Sequence, residues 1–357
     1  MLDVLDITTD AATLTAALVD IESVSGDEAR LAGLVEDAVR GCPSLLVQRD
    51  GNVVIARTDR GRGTRVVLAG HLDTVPIADN VPSRRVDGVL YGCGTTDMKS
   101  GVAVMLRVAQ LVGTGELDPR VDLTWVFYDC EEVEAVRNGL GRIARTDPAV
   151  LAGDLAVLLE PSGAMVEGGC QGTLRVAVRV PGVRAHSARS WMGENAIHAA
   201  APVLSRLVVY SPREVEVDGL TFHEGLNAVG ISGGVAGNVI PDECTVTVNY
   251  RFAPDRTEED ALAHVRGVFD GYEVEVTDSA PGARPGLDSA IAAEFVAAVG
   301  GEPRAKLGWT DVARFGVLGI PALNFGPGDP NLAHKPEEHV ELQQVLDAES
   351  ALVRFLT

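Results

Sequence analysis

The sequence predicts an α/β protein in two domains: a mainly parallel sheet with helices, interrupted by an inserted ferredoxin-like α+β domain. Two textures of apolar patterning carry this prediction, and a Gly/Pro-rich connection, SAPGARPG at 279–286, marks the return from the second to the first. In the first 172 residues, TRVVLAGH (64–71), VDLTWVFYDCEE (121–132) and DLAVLLEPS (154–162) are short, rich in β-formers and nearly continuously apolar. Such runs read as strands covered on both faces, as in parallel sheets. From residue 173 the pattern becomes strict alternation, in TLRVAVRV (173–180) and TVTVNYRF (245–252). Alternation marks strands packed on one face only.

The individual elements follow from these patterns. MKSGVAVMLRVAQLVGTG (98–115) has helical spacing, with Gly113 or Gly115 as its stop. The second texture runs strand 173–180, helix about 194–208, strands 227–234 and 243–252, helix about 257–269, strand 272–277. That order is β-α-β-β-α-β, the ferredoxin-like arrangement. A helix near 288–299 opens a loop-rich tail holding GWTDVARF, PALNFGPGD and AHKPEEH. The expected boundaries are 1–172 with 281–357 for a discontinuous α/β domain, and 173–280 for the insert.

A chain of 357 residues with 46% hydrophobic and 23% charged residues can bury a sizeable core. No stretch reaches the roughly 18 uninterrupted apolar residues of a membrane span. The opening MLDVLDITTD lacks the basic and apolar regions of a signal peptide. Cys42, Cys93, Cys130, Cys170 and Cys244 are odd in number and form no CxxC pair. Both features point to reduced thiols in a cytoplasmic protein. A formal net charge of −21 disfavours nucleic acid and anionic membranes, which need clustered Lys and Arg.

Each of the three apolar runs ends in a His or an acid before a turn, where open parallel sheets bind ligands. In GHLDTVP (70–76), His71 and Asp73 are two apart and share a side of an extended segment. An isolated HxD is more often a solvated loop, but a metal-binding His commonly donates its second ring N–H to a carboxylate. YGCGTTDMKSG (91–101) places Asp97 just before the helix expected from Met98. There it would serve as an ordinary N-cap or as a carboxylate bridging two cations. Glu131 and Glu132 stand side by side after a buried-looking strand, and Glu160 closes another. The tail offers His334 and His339. Singly these are strand ends and surface groups. Together, His71, Asp97, Glu132, Glu160 and His334 supply one His, one Glu and a share of Asp97 to each of two borderline cations such as zinc.

As a set, GHLDTVP, GCGTTDMK, the paired glutamates, Glu160 and the distal His resemble the zinc-dependent deacylase and exopeptidase family that includes acetylornithine deacetylase, aminoacylases and carboxypeptidase G. The resemblance spans essentially the whole chain. It implies that His71, Asp97 and Glu160 hold one Zn2+ and Asp97, Glu132 and His334 the other, with Co2+ able to substitute. His334 is preferred over His339 because the family's distal His precedes an acidic pair, here Glu337–Glu338. It further implies that Asp73 orients His71 and that Glu131 is the general base. His186, in RAHSARSWMGENAIH (184–198), matches the family's His that reaches the partner subunit's site and polarises the scissile carbonyl. A homodimer through the insert follows. The sequence departs from the family in one place: Cys130 stands where Asp commonly precedes the two glutamates.

Arg251, Asn238, Arg189 and Arg314 are candidate carboxylate clamps, since guanidinium forks bind carboxylates bidentately. FGPGD (325–329) reads equally as an N–H nest for a carboxylate or as a plain turn. The expected reaction is therefore amide hydrolysis of a small anionic N-acyl amino acid. The wording around Asp97, Cys130–Glu132 and His186 is similar to the family's desuccinylase branch, which acts on N-succinyl-LL-2,6-diaminopimelate. Acetylornithine or another N-acyl amino acid is the second substrate reading. A non-catalytic metal or amino-acid binding relative is the third, and Glu131 argues against it because a pure binder needs no base beside a ligand.

Overall fold

A computed structural model describes residues 4–357, so the first three residues of the N-terminal stretch and of the first domain's range lie outside the described residues. Its internal contacts divide the chain into two compact units. One takes the described residues up to Gly168 with Pro285–Arg304 and Thr310–Thr357; the other takes Gly169–Arg284 with Ala305–Trp309. The sequence reading leaves 305–309 in the first domain. In the structure the indole N–H of Trp309 donates to the carbonyl of Pro281 at 3.1 Å, which holds that segment on the second unit.

The first unit is an α/β fold on a mainly parallel central sheet. Seven of the sheet's eight strands lie in the order Leu46–Asp50, Val53–Arg57, Asp122–Tyr128, Arg65–His71, Leu155–Leu158, Ala322–Asn324, Glu167–Gly168. Arg65–His71 pairs in parallel with both neighbours, and Ala322–Asn324 pairs in parallel with Leu155–Leu158. All seven residues of Asp122–Tyr128 and all four of Leu155–Leu158 are buried, which matches their nearly continuous apolar character. The helix Lys99–Thr114 packs against this sheet and ends at Gly115, whose φ of 84° is left-handed. At Gly101, a Cβ would sit 2.2 Å from the carbonyl oxygen of Leu159, so only glycine permits this helix–strand approach.

The second unit carries an antiparallel sheet in the order Gly225–Gly233, Glu243–Phe252, Gly172–Pro181, Glu273–Ala280. The alternation read from sequence becomes alternating burial along Glu243–Phe252, with Val246, Val248, Tyr250 and Phe252 inside. Helices Ala196–Ala199, Ala201–Val208 and Glu258–Val268 pack on the sheet. The last begins with a capping box between Thr257 and Asp260. A hairpin absent from the sequence reading, Glu214–Val217 with Leu220–His223, turns at Asp218 and Gly219. Their φ values of 49° and 82° are those of the tight turn that Asp-Gly favours, so its signal was present in the sequence.

Candidate metal centre and active site

Parallel register brings the candidate residues to one end of the central sheet. His71 lies opposite Tyr128, and Ala69 opposite Leu158, so the chain leaves three adjacent strands at one edge. Just beyond that edge come Asp73, then Glu131 and Glu132, then Glu160. Asp97 arrives on the loop before the helix Lys99–Thr114. That helix starts one residue later than expected, has Met98 as its N-cap and makes no side-chain cap bond. Asp97 is therefore no N-cap, and its carboxylate turns toward two histidines. The loop needs Gly94: φ is 82°, and a Cβ there would meet the Thr74 methyl at 2.7 Å.

The geometry separates the roles of the ring nitrogens. His71 Nδ1 lies 3.0 Å from the carbonyl oxygen of Asp73 and 3.5 Å from its Oδ1. Both are acceptors, so Nδ1–H donates; Nε2 faces a carboxylate as well, and its lone pair becomes available only when a cation displaces the proton between them. His71 Nε2 is 3.1 Å from Asp97 Oδ1, and His334 Nε2 is 3.3 Å from Asp97 Oδ2. His334 Nε2 also lies 2.9 Å from Glu132 Oε1. His339 goes elsewhere: its Nδ1 faces the Glu337 carbonyl at 2.7 Å and its ring lies against Tyr91. Two residues here have left-handed backbone, Cys130 with φ of 58° and His334 with φ of 64°. Each costs about 1–2 kcal/mol for an L-residue, a cost that tends to gather at functional sites.

Asp73 ties the first of these strand ends to the second. Its Oδ1 accepts the Glu131 N–H and its Oδ2 the Glu132 N–H, both at 3.0 Å, and Oδ2 also accepts the Ser25 hydroxyl at 2.7 Å. The preceding amide, that of Cys130, donates to Glu28 Oε1 at 3.2 Å, and the Cys130 thiol points to the same oxygen at 3.4 Å. Burial, with the Glu28 charge behind it, pushes this thiol up to about 12. Cys130 thus turns to Glu28, and its replacement of Asp leaves the two glutamates in place. Glu28, Asp129 and Cys130 form a second buried acid–thiol group, where Arg142 already stands 3.4 Å from Asp129.

Electrostatics sharpen the picture. Burial alone would lower His71, but Asp73 and Asp97 hold it well above the usual imidazole range. Asp97 and Glu132 raise His334 to about 10. Asp97 is pulled below the ordinary carboxylate range by the two imidazoles, against the opposing effect of burial. Glu131 moves the other way: burial first, then the charges of Asp311, Glu160 and Glu132, outweigh His71 and hold its carboxyl well above the usual range. The two neighbouring glutamates therefore differ chemically. One lies on an imidazole, while the other is desolvated with a high proton affinity.

The donor set fits divalent metal. Ligand atoms of His71, Asp97 and Glu132 lie within 4.8 Å of one another, and both oxygens of Asp97 already face an imidazole nitrogen. Imidazole and carboxylate donors without thiolate suit zinc and its neighbours. Glu160 is buried, and its charge acts on Glu131 and Tyr128.

The remaining candidates are spread over both units. In the second unit, His186 is exposed, and its Nδ1 accepts the Ala188 N–H at 3.0 Å. With Nδ1 accepting, Nε2 is the ring nitrogen left to donate. Asn238 is exposed, and its carbonyl accepts the Ser187 N–H at 2.9 Å, one residue from His186. Arg189 is exposed and Arg251 half-buried. In the first unit, Arg314 is engaged: its Nε donates to Asp311. The sequence reading passed over Asp311, which is fully buried, accepts from Asn138 Nδ2 at 2.8 Å and bears electrostatically on Glu131. Its only signal was an acid in TDVARF, where no periodicity marks burial.

A mainly parallel α/β sheet with imidazoles and carboxylates gathered at its carboxyl edge defines a hydrolase of the metallopeptidase class. The chain belongs to peptidase family M20/M25/M40, whose model matches residues 67–357. It is 56% identical over 355 residues to a putative succinyl-diaminopimelate desuccinylase of Mycobacterium tuberculosis, covering 99% of both chains. To the succinyl-diaminopimelate desuccinylase of Corynebacterium glutamicum it is 51% identical over 362 residues, covering 99% of this chain and 98% of that one. A Staphylococcus aureus tripeptidase shares the fold with a TM-score of 0.80 at 22% identity, over 99% of this chain and 98% of that one. So does a Bacillus subtilis protein described as a dinuclear metal binding peptidase of the M20 family, with a TM-score of 0.69 at 16% identity over 97% and 96%. Among the described residues, no helix is long and apolar enough to cross a membrane.

Proposed function

We propose that the protein is a dizinc amidohydrolase that cleaves N-succinyl-LL-2,6-diaminopimelate to succinate and LL-2,6-diaminopimelate, a step in lysine and diaminopimelate biosynthesis. The observation that carries the reading is the pair of imidazole Nε2 atoms set on opposite oxygens of Asp97. The substrate is supported by the activity named for relatives 56% and 51% identical along nearly the whole chain. His71, Asp97 and Glu160 would hold one zinc, and Asp97, Glu132 and His334 the other, with cobalt able to replace them. Bound zinc supplies Lewis acidity toward the amide carbonyl and lowers the pKa of water.

The chain's own groups move the proton. Glu131, whose proton affinity is raised by burial, takes a proton from the attacking water. The water oxygen bonds to the succinyl carbonyl carbon, the C–N bond breaks, and Glu131 returns the proton to the leaving amine. Asp73 orients His71 and holds the glutamate backbones. His186 offers Nε2–H to the carbonyl oxygen as negative charge develops there. Arg251, Asn238 and Arg189 are the carboxylate clamps of this reading. Arg314 is the weakest placed, because Asp311 already occupies its Nε.

We read the second unit as a ferredoxin-like dimerisation and lid domain, on the strength of the strand–helix–strand–strand–helix–strand order of its four-stranded sheet and the helices packed on it, with the 214–223 hairpin and short bridging strands as additions. Its edge strand Gly225–Gly233 exposes Val229 at 59% and Ile231 at 55%, and Val208 and Val209 are 84% and 80% exposed. An apolar sheet edge of this kind is a template for pairing with a second copy. His186 would then serve the other subunit's site. Five buried, unbridged cysteines among the described residues suit the cytoplasm.

Steady-state assays with succinyl-diaminopimelate and acetylornithine, together with metal analysis, test the reading. A large preference for acetylornithine overturns the substrate. Bound zinc without hydrolysis of any N-acyl amino acid makes the chain a binding protein.

A further inference from the structure

Glu338 lies outside every role assigned above; in the sequence it served only as part of an acidic pair marking the distal histidine. In the structure it is buried, 2% exposed, and both carboxylate oxygens are turned on the loop that presents Asp97. Oε1 accepts the N–H of Thr96 at 2.8 Å and of Asp97 at 3.0 Å, while Oε2 accepts that of Gly94 at 3.0 Å. The main chain adds to this grip. The Glu338 carbonyl accepts the Gly92 N–H at 3.0 Å, and the Thr96 hydroxyl donates to the His339 carbonyl at 2.7 Å.

On the other side, Glu338 N–H donates to the Lys335 carbonyl at 3.0 Å, closing one turn that begins just after His334. A single short segment thus carries an imidazole that faces Asp97 and a carboxylate that binds the Asp97 backbone. We infer that Glu338 is a positioning residue: it locks the loop of Asp97 to the segment of His334, so that the shared carboxylate sits between the two imidazoles. This rests on the reading above that Asp97 is shared by two cations.

The physical case is one of acceptors and donors. Converging N–H groups form a concave anion site, and a carboxylate matches it with charge-assisted bonds. The amide of a Glu338→Gln variant would keep one acceptor for Thr96 and Asp97 but turn an NH2 toward the N–H of Gly94, donor against donor. The Asp97 backbone would then shift, and misplacement by about 1 Å is enough to cost on the order of 100-fold in rate.

The test compares Glu338→Gln with Glu337→Gln, a change of equal charge at the exposed neighbour. Chelator-stripped proteins are titrated with zinc in competition with a chromophoric chelator, and the cobalt-loaded forms are compared by visible absorption. For Glu338→Gln we expect zinc affinity to fall about 10- to 100-fold, the scale of a lost ligand-orienting partner, with an altered cobalt spectrum and a loss in kcat larger than any change in KM. Glu337→Gln should match wild type in all three. Wild-type zinc affinity and an unchanged cobalt spectrum in Glu338→Gln overturn the inference. If that variant does not fold, hydrogen exchange in the wild-type protein decides: the amides of Gly94, Thr96 and Asp97 should exchange slowly and together, and rapid exchange sinks the idea. A wild-type chain that failed to cleave the succinyl substrate would remove the proposed reaction while leaving the zinc and cobalt readouts to judge Glu338. A chain that bound no metal would remove both.

Discussion

The Asp73 carboxylate accepts the backbone N–H of Glu131 at 3.0 Å, through the oxygen that also faces the His71 ring at 3.5 Å. Its second oxygen holds the next amide, that of Glu132. One buried acid therefore orients an imidazole and sets the main chain from which two acids of different character project. The strand has already ended at Tyr128, so it is these two bonds, rather than sheet pairing, that fix the main chain carrying both glutamates.

Asp73→Asn tests that coupling. The amide keeps one acceptor oxygen and presents an NH2 to the other glutamate's N–H. Metal affinity should fall about 10- to 100-fold, as for other lost orienting partners, and turnover should fall further because Glu131 moves too. Zinc titration and kcat on one preparation check it; equal losses in both would mean that Asp73 acts through His71 alone.

Glu131→Gln and Glu132→Ala should separate cleanly. Removing Glu131, the proposed base, should cost at least about 10²–10⁴-fold in kcat while zinc stoichiometry stays at the wild-type value. Removing Glu132 should cost zinc as well, because its Oε1 stands 2.9 Å from His334 Nε2. Metal analysis beside steady-state kinetics reads both, and normal kcat in Glu131→Gln would reassign the base.

Cation binding should release protons. Without a cation, Asp97 and Glu132 hold His334 protonated up to about 10, and His71 is raised as well. Metal must displace those protons, so affinity rises with pH through the neutral range. The sign for folding is opposite. A folded pKa raised above 6.5 contributes stability fully present below that value and lost as pH climbs toward 10. Calorimetry in buffers of different ionisation enthalpy should register proton release on zinc binding, and melts of chelated protein should show declining stability over that window. Zinc binding with no proton uptake by the buffer would contradict the charge state assigned here.

In the homodimer proposed above, a charge on the exposed edge should separate the subunits. Val229→Glu with Ile231→Glu places acids on a strand whose outer residues are solvent-exposed, among a chain already at −21. Sedimentation should show a monomer with at least tenfold lower activity and unchanged metal content, since each site would lose the other subunit's His186. A fully active monomer would place His186 outside the reaction.

Much of the site was legible because strand ends announce themselves. Three apolar runs closing on His71, Glu131–Glu132 and Glu160 identify one edge of a parallel sheet without any coordinates. The fold class followed from the same runs, and the alternation after residue 173 marked a second texture. The Asp218–Gly219 hairpin went unread although its turn signal was present. Asp97 is a different case. From sequence it is equally a helix cap, and only the approach of two histidines shows that its carboxylate is turned away from the helix.

What the sequence by itself determined is the inventory and its local direction: which residues can hold a proton or a cation, and that His71 and Asp73, two apart on an extended segment, meet. The tertiary structure decided the pairings between distant positions. His334 meets Glu132 across 202 positions, and Glu338 binds the Asp97 amide across 241, while His339, five residues beyond His334, turns to Tyr91. Periodicity extends only over a few turns of chain. Contacts that close long loops are set by where the packed sheet delivers each segment, and that is a property of the whole core.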